Sequence, residues 1–241
     1  MAPLVLAALA AVAVISAAIS AITGVAGGIV LLSALLFAID PRAVVPVHGA
    51  VQLVANSTRL AVFWRHVHWG VVARFGLMVT PGALVGASLV AMLSARALQV
   101  AIAVAILVSL VAPRSKTEAP PSRRRWFYPL GFVCGGLGMI VGSTGPVVTQ
   151  ALLWSGVLKE AHIATKAACQ ALANVIKLAL YGATLGFAVG EHAPLIVLLS
   201  AGVVAGTFVG KKVLGKVSDQ TFVVATRALL ALIAIKSLVF V

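Results

Sequence analysis

Apolar runs of membrane length, set between short polar breaks, constrain this chain more than any other feature. Five precede a charged break, at about 2–23, 28–39, 43–64, 69–93 and 95–112. Five follow it, at about 127–141, 146–158, 161–187, 192–213 and 219–241. A run of roughly 20 apolar residues crosses the hydrocarbon of a bilayer as a helix, in which each backbone N–H finds its acceptor without water. The chain is 62% hydrophobic and 10% charged, whereas soluble domains are about half apolar and a quarter charged. The sequence therefore predicts an all-α polytopic membrane protein.

The placement of charge agrees. A net charge of +13 would suggest nucleic acid in a soluble chain. Here most basic residues fall between apolar segments, as cytoplasmic loops of membrane proteins do, so lipid and not nucleic acid is the expected partner. The five acidic residues, Asp40, Glu118, Glu160, Glu191 and Asp219, lie at segment ends or in loops. Residues 113–126 read as a basic cytoplasmic linker, with Arg114, Lys116, Arg123, Arg124 and Arg125 among Pro113, Pro120 and Pro121. They divide a first transmembrane repeat, 1–112, from a second, 127–241. The opening Met1-Ala2-Pro3 lacks the basic flank of a cleaved signal peptide, so the first apolar run is expected to stay in the membrane. Cys134 and Cys169 have no metal-ligand spacing and read as small packing residues. The sequence calls for neither metal nor cofactor.

The two halves echo each other at a shift of 118 positions. Gly24 falls on Gly142, Gly27 on Gly145, Gln52 on Gln170, Asn56 on Asn174, Arg59 on Lys177 and Phe63 on Tyr181. Positions 48, 52, 56, 59 and 63 share one helix face, as do 166, 170, 174, 177 and 181, because side chains three and four apart stack. Each half thus carries a polar stripe on an otherwise apolar helix. The basic connections at 64–74 and 211–216 are expected inside, and the connection at 187–192 outside. That gives each half an odd number of crossings and makes the halves inverted repeats, an arrangement many secondary transporters use.

The second segment of each half is short, about 18–20 Å as a helix against roughly 30 Å of hydrocarbon. Each opens after a glycine-rich break, Gly24-Val25-Ala26-Gly27-Gly28 and Gly142-Ser143-Thr144-Gly145-Pro146. Matching short, interrupted segments mark a midplane binding site; re-entrant hairpins and short crossings are both compatible with the spacing. A helix starting at such a break presents free N–H groups and its positive dipole end to an anion, and Ser143, Thr144 and Thr23 add hydroxyls. The alternative role of such glycines is close helix packing, which is the expected role of Gly82, Gly86, Gly202, Gly206 and Gly210.

Arg59 and Lys177 are cations within apolar segments, where a charge is costly unless it faces a cavity or a partner. Snorkelling to the surface is the alternative, and Lys166, nearer the inside end, is balanced between the two. Gln52, Asn56, Gln170 and Asn174 can donate amide N–H groups to an oxyanion, or join helices together. His48 is either a proton-sensitive ligand or a structural residue. Lys211, Arg227 and Lys236 read as interfacial anchors.

At these breaks and stripes the chain resembles the sulfite exporter TauE/SafE family, also called the toluene sulfonate uptake permease family. The resemblance rests on the two glycine motifs, on Asn56-Ser57 with Arg59, on Asn174 with Lys177, and on the basic linker. It implies a multi-pass permease of the bacterial inner membrane for sulfite, sulfonates or similar small anions. The substrate is then expected between Arg59 and Lys177, held by Gly24, Gly27, Gly28, His48, Gln52, Asn56, Gly142, Ser143, Thr144, Gly145, Gln170 and Asn174. A homo-oligomer is compatible with this reading. So are an anion channel and a carboxylate carrier. An intramembrane enzyme is disfavoured, because no deep histidine in the second half stands ready to serve Ser143 as a base. An inside-negative potential favours anion export by about 2.3 kcal/mol per charge per 100 mV.

Overall fold

Asp40 and Pro41 show how sharply this chain starts a helix. The Asp40 carboxylate accepts from the Arg42 backbone N–H at 2.8 Å, and Pro41 supplies a first helical residue that needs no N–H partner. The structure, a computed structural model, describes residues 2–23, 27–94, 96–98, 100–101, 104, 125–155, 157 and 159–213. Gly24, most of the basic linker, much of the apolar run at 95–112 and the run at 219–241, with Arg227 and Lys236, lie outside the described residues, as does the Lys211 side chain.

Eight principal helices lie among the described residues: α1 (Pro3–Thr23), α2 (Gly27–Ala38), α3 (Pro41–Phe63), α4 (Trp69–Met92), α5 (Phe127–Val141), α6 (Gly145–Trp154), α7 (Lys159–Leu185) and α8 (Ala193–Val213). Among the described residues four stretches are helical, long and apolar enough to cross a membrane: Pro3–Ser20, Trp69–Met92, Ala161–Leu185 and Val189–Gly210. Helix α3 has 23 residues; its polar stripe, not its length, keeps it from joining them. Helices α2 and α6, of 12 and 10 residues, reach only about 18 and 15 Å at 1.5 Å per residue. Helix α2 is apolar all round, and Leu31, Leu32 and Leu35 are buried, as expected of a helix enclosed by others.

Packing joins the halves in a repeated pattern. Helix α1 lies along α8, and α4 along α5; α3 crosses α7 at the centre. Both outer pairs run in the same direction and touch through glycines. A Cβ on Gly82 would collide with the Phe132 carbonyl oxygen of α5, and one on Gly206 with that of Val14 in α1. Such glycines let backbones meet in a solvent that offers no hydrophobic drive, and packing is the role the structure gives them. The central pair is antiparallel. Gly49, early in α3, lies against Lys177 and Asn174, late in α7, while the His68 N–H just beyond α3 donates to Thr165 Oγ1, early in α7, at 2.9 Å.

Exposed Trp64, Trp69 and Trp126 accompany exposed Arg65 and Arg125 where α3 ends and α4 and α5 begin. Aromatic and basic residues together suit a membrane–water interface. Replacement of Gly82 by valine is expected to cost about 1–3 kcal/mol by overpacking. Thermal unfolding in detergent should register that loss, while Gly190→Val, where nothing lies within 4 Å, should leave the transition in place.

Candidate functional site

The site is built on the break between α5 and α6. Helix α5 ends at Gly142, whose φ of 78° is left-handed and costs glycine little. A helix end leaves up to four carbonyls without partners, and hydrocarbon supplies no water to meet them. Helix α7 supplies the donors. Tyr181 Oη donates to the Met139 carbonyl at 2.6 Å, and Lys177 Nζ donates to the Gly142 carbonyl at 2.9 Å. A cation at this end also meets the negative pole of the α5 dipole. Lys177 is only 4% exposed, so it does not snorkel.

The same ammonium donates to Asn174 Oδ1 at 3.1 Å. In α3 the arrangement repeats, with Arg59 Nη1 donating to Asn56 Oδ1 at 3.0 Å. The cation three residues on thus occupies the amide oxygen in each stripe, and each asparagine keeps its NH2 group for something else. Asn174 is 3% exposed, and its Nδ2 has no hydrogen-bond partner among the described residues; the same holds for Arg59 Nε. Gln170 Nε2 donates to Thr144 Oγ1 at 3.3 Å. His48 Nε2 donates to the Gly28 carbonyl at 2.8 Å and so ties α3 to the start of α2, while its Nδ1 has no partner among the described residues.

These groups surround a cavity of about 30 Å³ between the two stripe helices and the two breaks. It is lined by Gly28, His48, Gln52, Asn56, Arg59, Gly142, Ser143, Gly145, Gln170 and Asn174, together with Ser20 and Lys166. Among the described residues no carboxylate lines the cavity. Three of the residues expected to hold substrate are placed otherwise. Gly27 is turned to α1, where its Cβ position collides with the Ser16 carbonyl. Thr144 stands behind Gln170 as an acceptor. Lys177 is behind Asn174 and holds the end of α5. The fourth exception, Gly24, lies outside the described residues.

Two lining residues were not among those expected to bind. Ser20 carries no sequence signal beyond lying one turn before the first break. Lys166 had one, since the shift of 118 places it on His48, and both residues face the cavity.

Removal of the Tyr181 hydroxyl in Tyr181→Phe leaves the Met139 carbonyl short of a donor, and an unmet buried group costs about 1–3 kcal/mol. A matching fall in detergent-unfolding stability is expected. An unchanged transition would show that the α5 end does not rely on this bond.

The family model described as Sulfite exporter TauE/SafE matches residues 9–237. Comparison with curated proteins and with solved structures returns no match. With nearly the whole length matched, and with apolar helices around a polar interior cavity, the chain belongs to the sulfite exporter TauE/SafE family of membrane transporters.

Proposed function

We propose that this protein is a secondary carrier of small sulfur oxyanions, with sulfite the best fit, and that the cavity between α3 and α7 is its binding site. One observation carries the reading: both stripe asparagines have their oxygens engaged by cations. Their amide hydrogens are therefore left to meet an acceptor. An oxyanion is such an acceptor, and Arg59 and Lys166 at the cavity wall offset its charge. A neutral or cationic solute would find donors and positive charge where it needs acceptors.

Size narrows the class. A buried water needs roughly 10–15 Å³ by the same measure, so a cavity of about 30 Å³ accommodates two or three water-sized bodies. That suits an oxyanion of four or five heavy atoms and does not suit an arenesulfonate. The architecture is compatible with alternating access. The antiparallel crossing of the equivalent helices α3 and α7, and the matching pairs α1–α8 and α4–α5, support halves related by inversion. Rocking of one half on the other would open the cavity to either side. The bacterial inner membrane is the expected location, and the membrane potential favours export.

Proteoliposomes test the proposal. Saturable sulfite uptake is expected, inhibited by other small oxyanions and not by toluenesulfonate. Loss of one charge-assisted hydrogen bond costs about 1.5–3 kcal/mol, so Asn56→Leu and Asn174→Leu should each lower kcat/KM roughly 10- to 100-fold. Undiminished uptake in both variants would remove the cavity as the binding site.

A further inference from the structure

Two lysines of α7, Lys177 buried and Lys166 half-buried, do different work. Lys177 is committed to carbonyl groups of the protein, the Gly142 oxygen and the Asn174 oxygen, and it does not line the cavity. Lys166 does line it, as does Arg59. The Lys166 ammonium also lies beside the start of α6, 3.7 Å from the Cβ position of Gly145. There the ammonium and the positive end of the helix dipole point at the same space. Arg59 adds a second full charge from the opposite wall. Positive groups brought together in this way favour a solute of higher negative charge between them. The unpartnered Nδ2 of Asn174, in a side chain 97% buried by its 3% exposure, lines the same space and marks it independently as a place for an acceptor.

We propose that Arg59 and Lys166 form a double counter-charge that selects divalent over monovalent oxyanions, and that Lys177 is a positioning residue which fixes the α5 end and turns the Asn174 amide toward the cavity. This rests on the anion-carrier reading above and adds the charge of the preferred substrate. The second cation is what distinguishes the two charge states. Two isosteric anions with one unit of charge between them share the amide donors and the size limit equally, so their difference reports the Arg59–Lys166 pair. The symmetry mate of Lys166 is His48, which donates to Gly28 and so serves the protein rather than the solute. The Lys166 charge is therefore supplied from the α6 side of the cavity.

The test uses the full-length protein in proteoliposomes, with sulfite uptake competed by sulfate or by methanesulfonate. These probes are both tetrahedral with five heavy atoms, and carry two charges and one. The parent protein should be inhibited more strongly by sulfate. Lys166→Gln should lower the sulfate-to-methanesulfonate potency ratio at least tenfold, and Lys166→Arg should restore it. Lys177→Gln should slow uptake while leaving that ratio unchanged. Should Lys166→Gln fold poorly, Lys166→His supplies a second reading: its preference for sulfate should rise as pH falls and the imidazole gains its proton. A ratio unmoved by Lys166→Gln, one insensitive to pH in Lys166→His, or one shifted instead by Lys177→Gln would overturn the proposal while leaving a carrier of sulfite intact. Absence of sulfite uptake by the parent would overturn the carrier reading and this inference together.

Discussion

Everything at the centre of this protein depends on how a helix can stop inside a membrane. The carbonyls at the end of α5 need donors that hydrocarbon does not supply, and Lys177 and Tyr181, one turn apart on α7, meet two of them. The cost of burying an ammonium is offset by the same bonds that relieve the helix end. Once that end is fixed, the chain can turn at Gly142 and begin the short α6. The space between the two helices becomes the cavity. Lys177 also holds the Asn174 oxygen, so one cation both closes a helix and orients a donor.

The rest of the bundle positions this arrangement with little polar chemistry. Glycines bring α4 onto α5 and α8 onto α1 at backbone contact, which leaves α3 and α7 to cross at the centre. Gly49 lets the Lys177 stem pass close to α3. The two stripes are equivalent in sequence yet not identical in use. Phe63 stands where Tyr181 stands in the second half and has no hydroxyl to donate, and His48 replaces Lys166. The sequence echo puts matching polar stripes on α3 and α7, and such differences give the two stripes different work at the cavity.

Much of this was legible in the sequence because membrane helices are written in long apolar runs and their interruptions. The helix boundaries, the short second segments and the opposed polar stripes follow from hydropathy, glycine and a repeat of 118 positions. The repeat also brought Asn56, Asn174, Gln52 and Gln170 to one place. What the sequence could not convey was which donor is already spoken for. Arg59 and Lys177 are equivalent by position, but only a structure shows the Lys177 ammonium bonded to Gly142 and Lys166 at the cavity wall. Gly27 illustrates the same gap. A glycine in a break can serve a ligand or a neighbouring backbone, and here the Ser16 carbonyl takes the space.

The central claim is that the cavity between the crossed helices receives an oxyanion through the two asparagine amides. A structure determined with selenite, which places a strongly scattering selenium in the same pyramidal oxyanion as sulfite, tests it directly. The account predicts an anomalous peak inside the cavity, within hydrogen-bonding distance of Asn56 and Asn174 and flanked by Arg59 and Lys166. Selenium confined to the protein surface, with the cavity unfilled at saturating selenite, would contradict it.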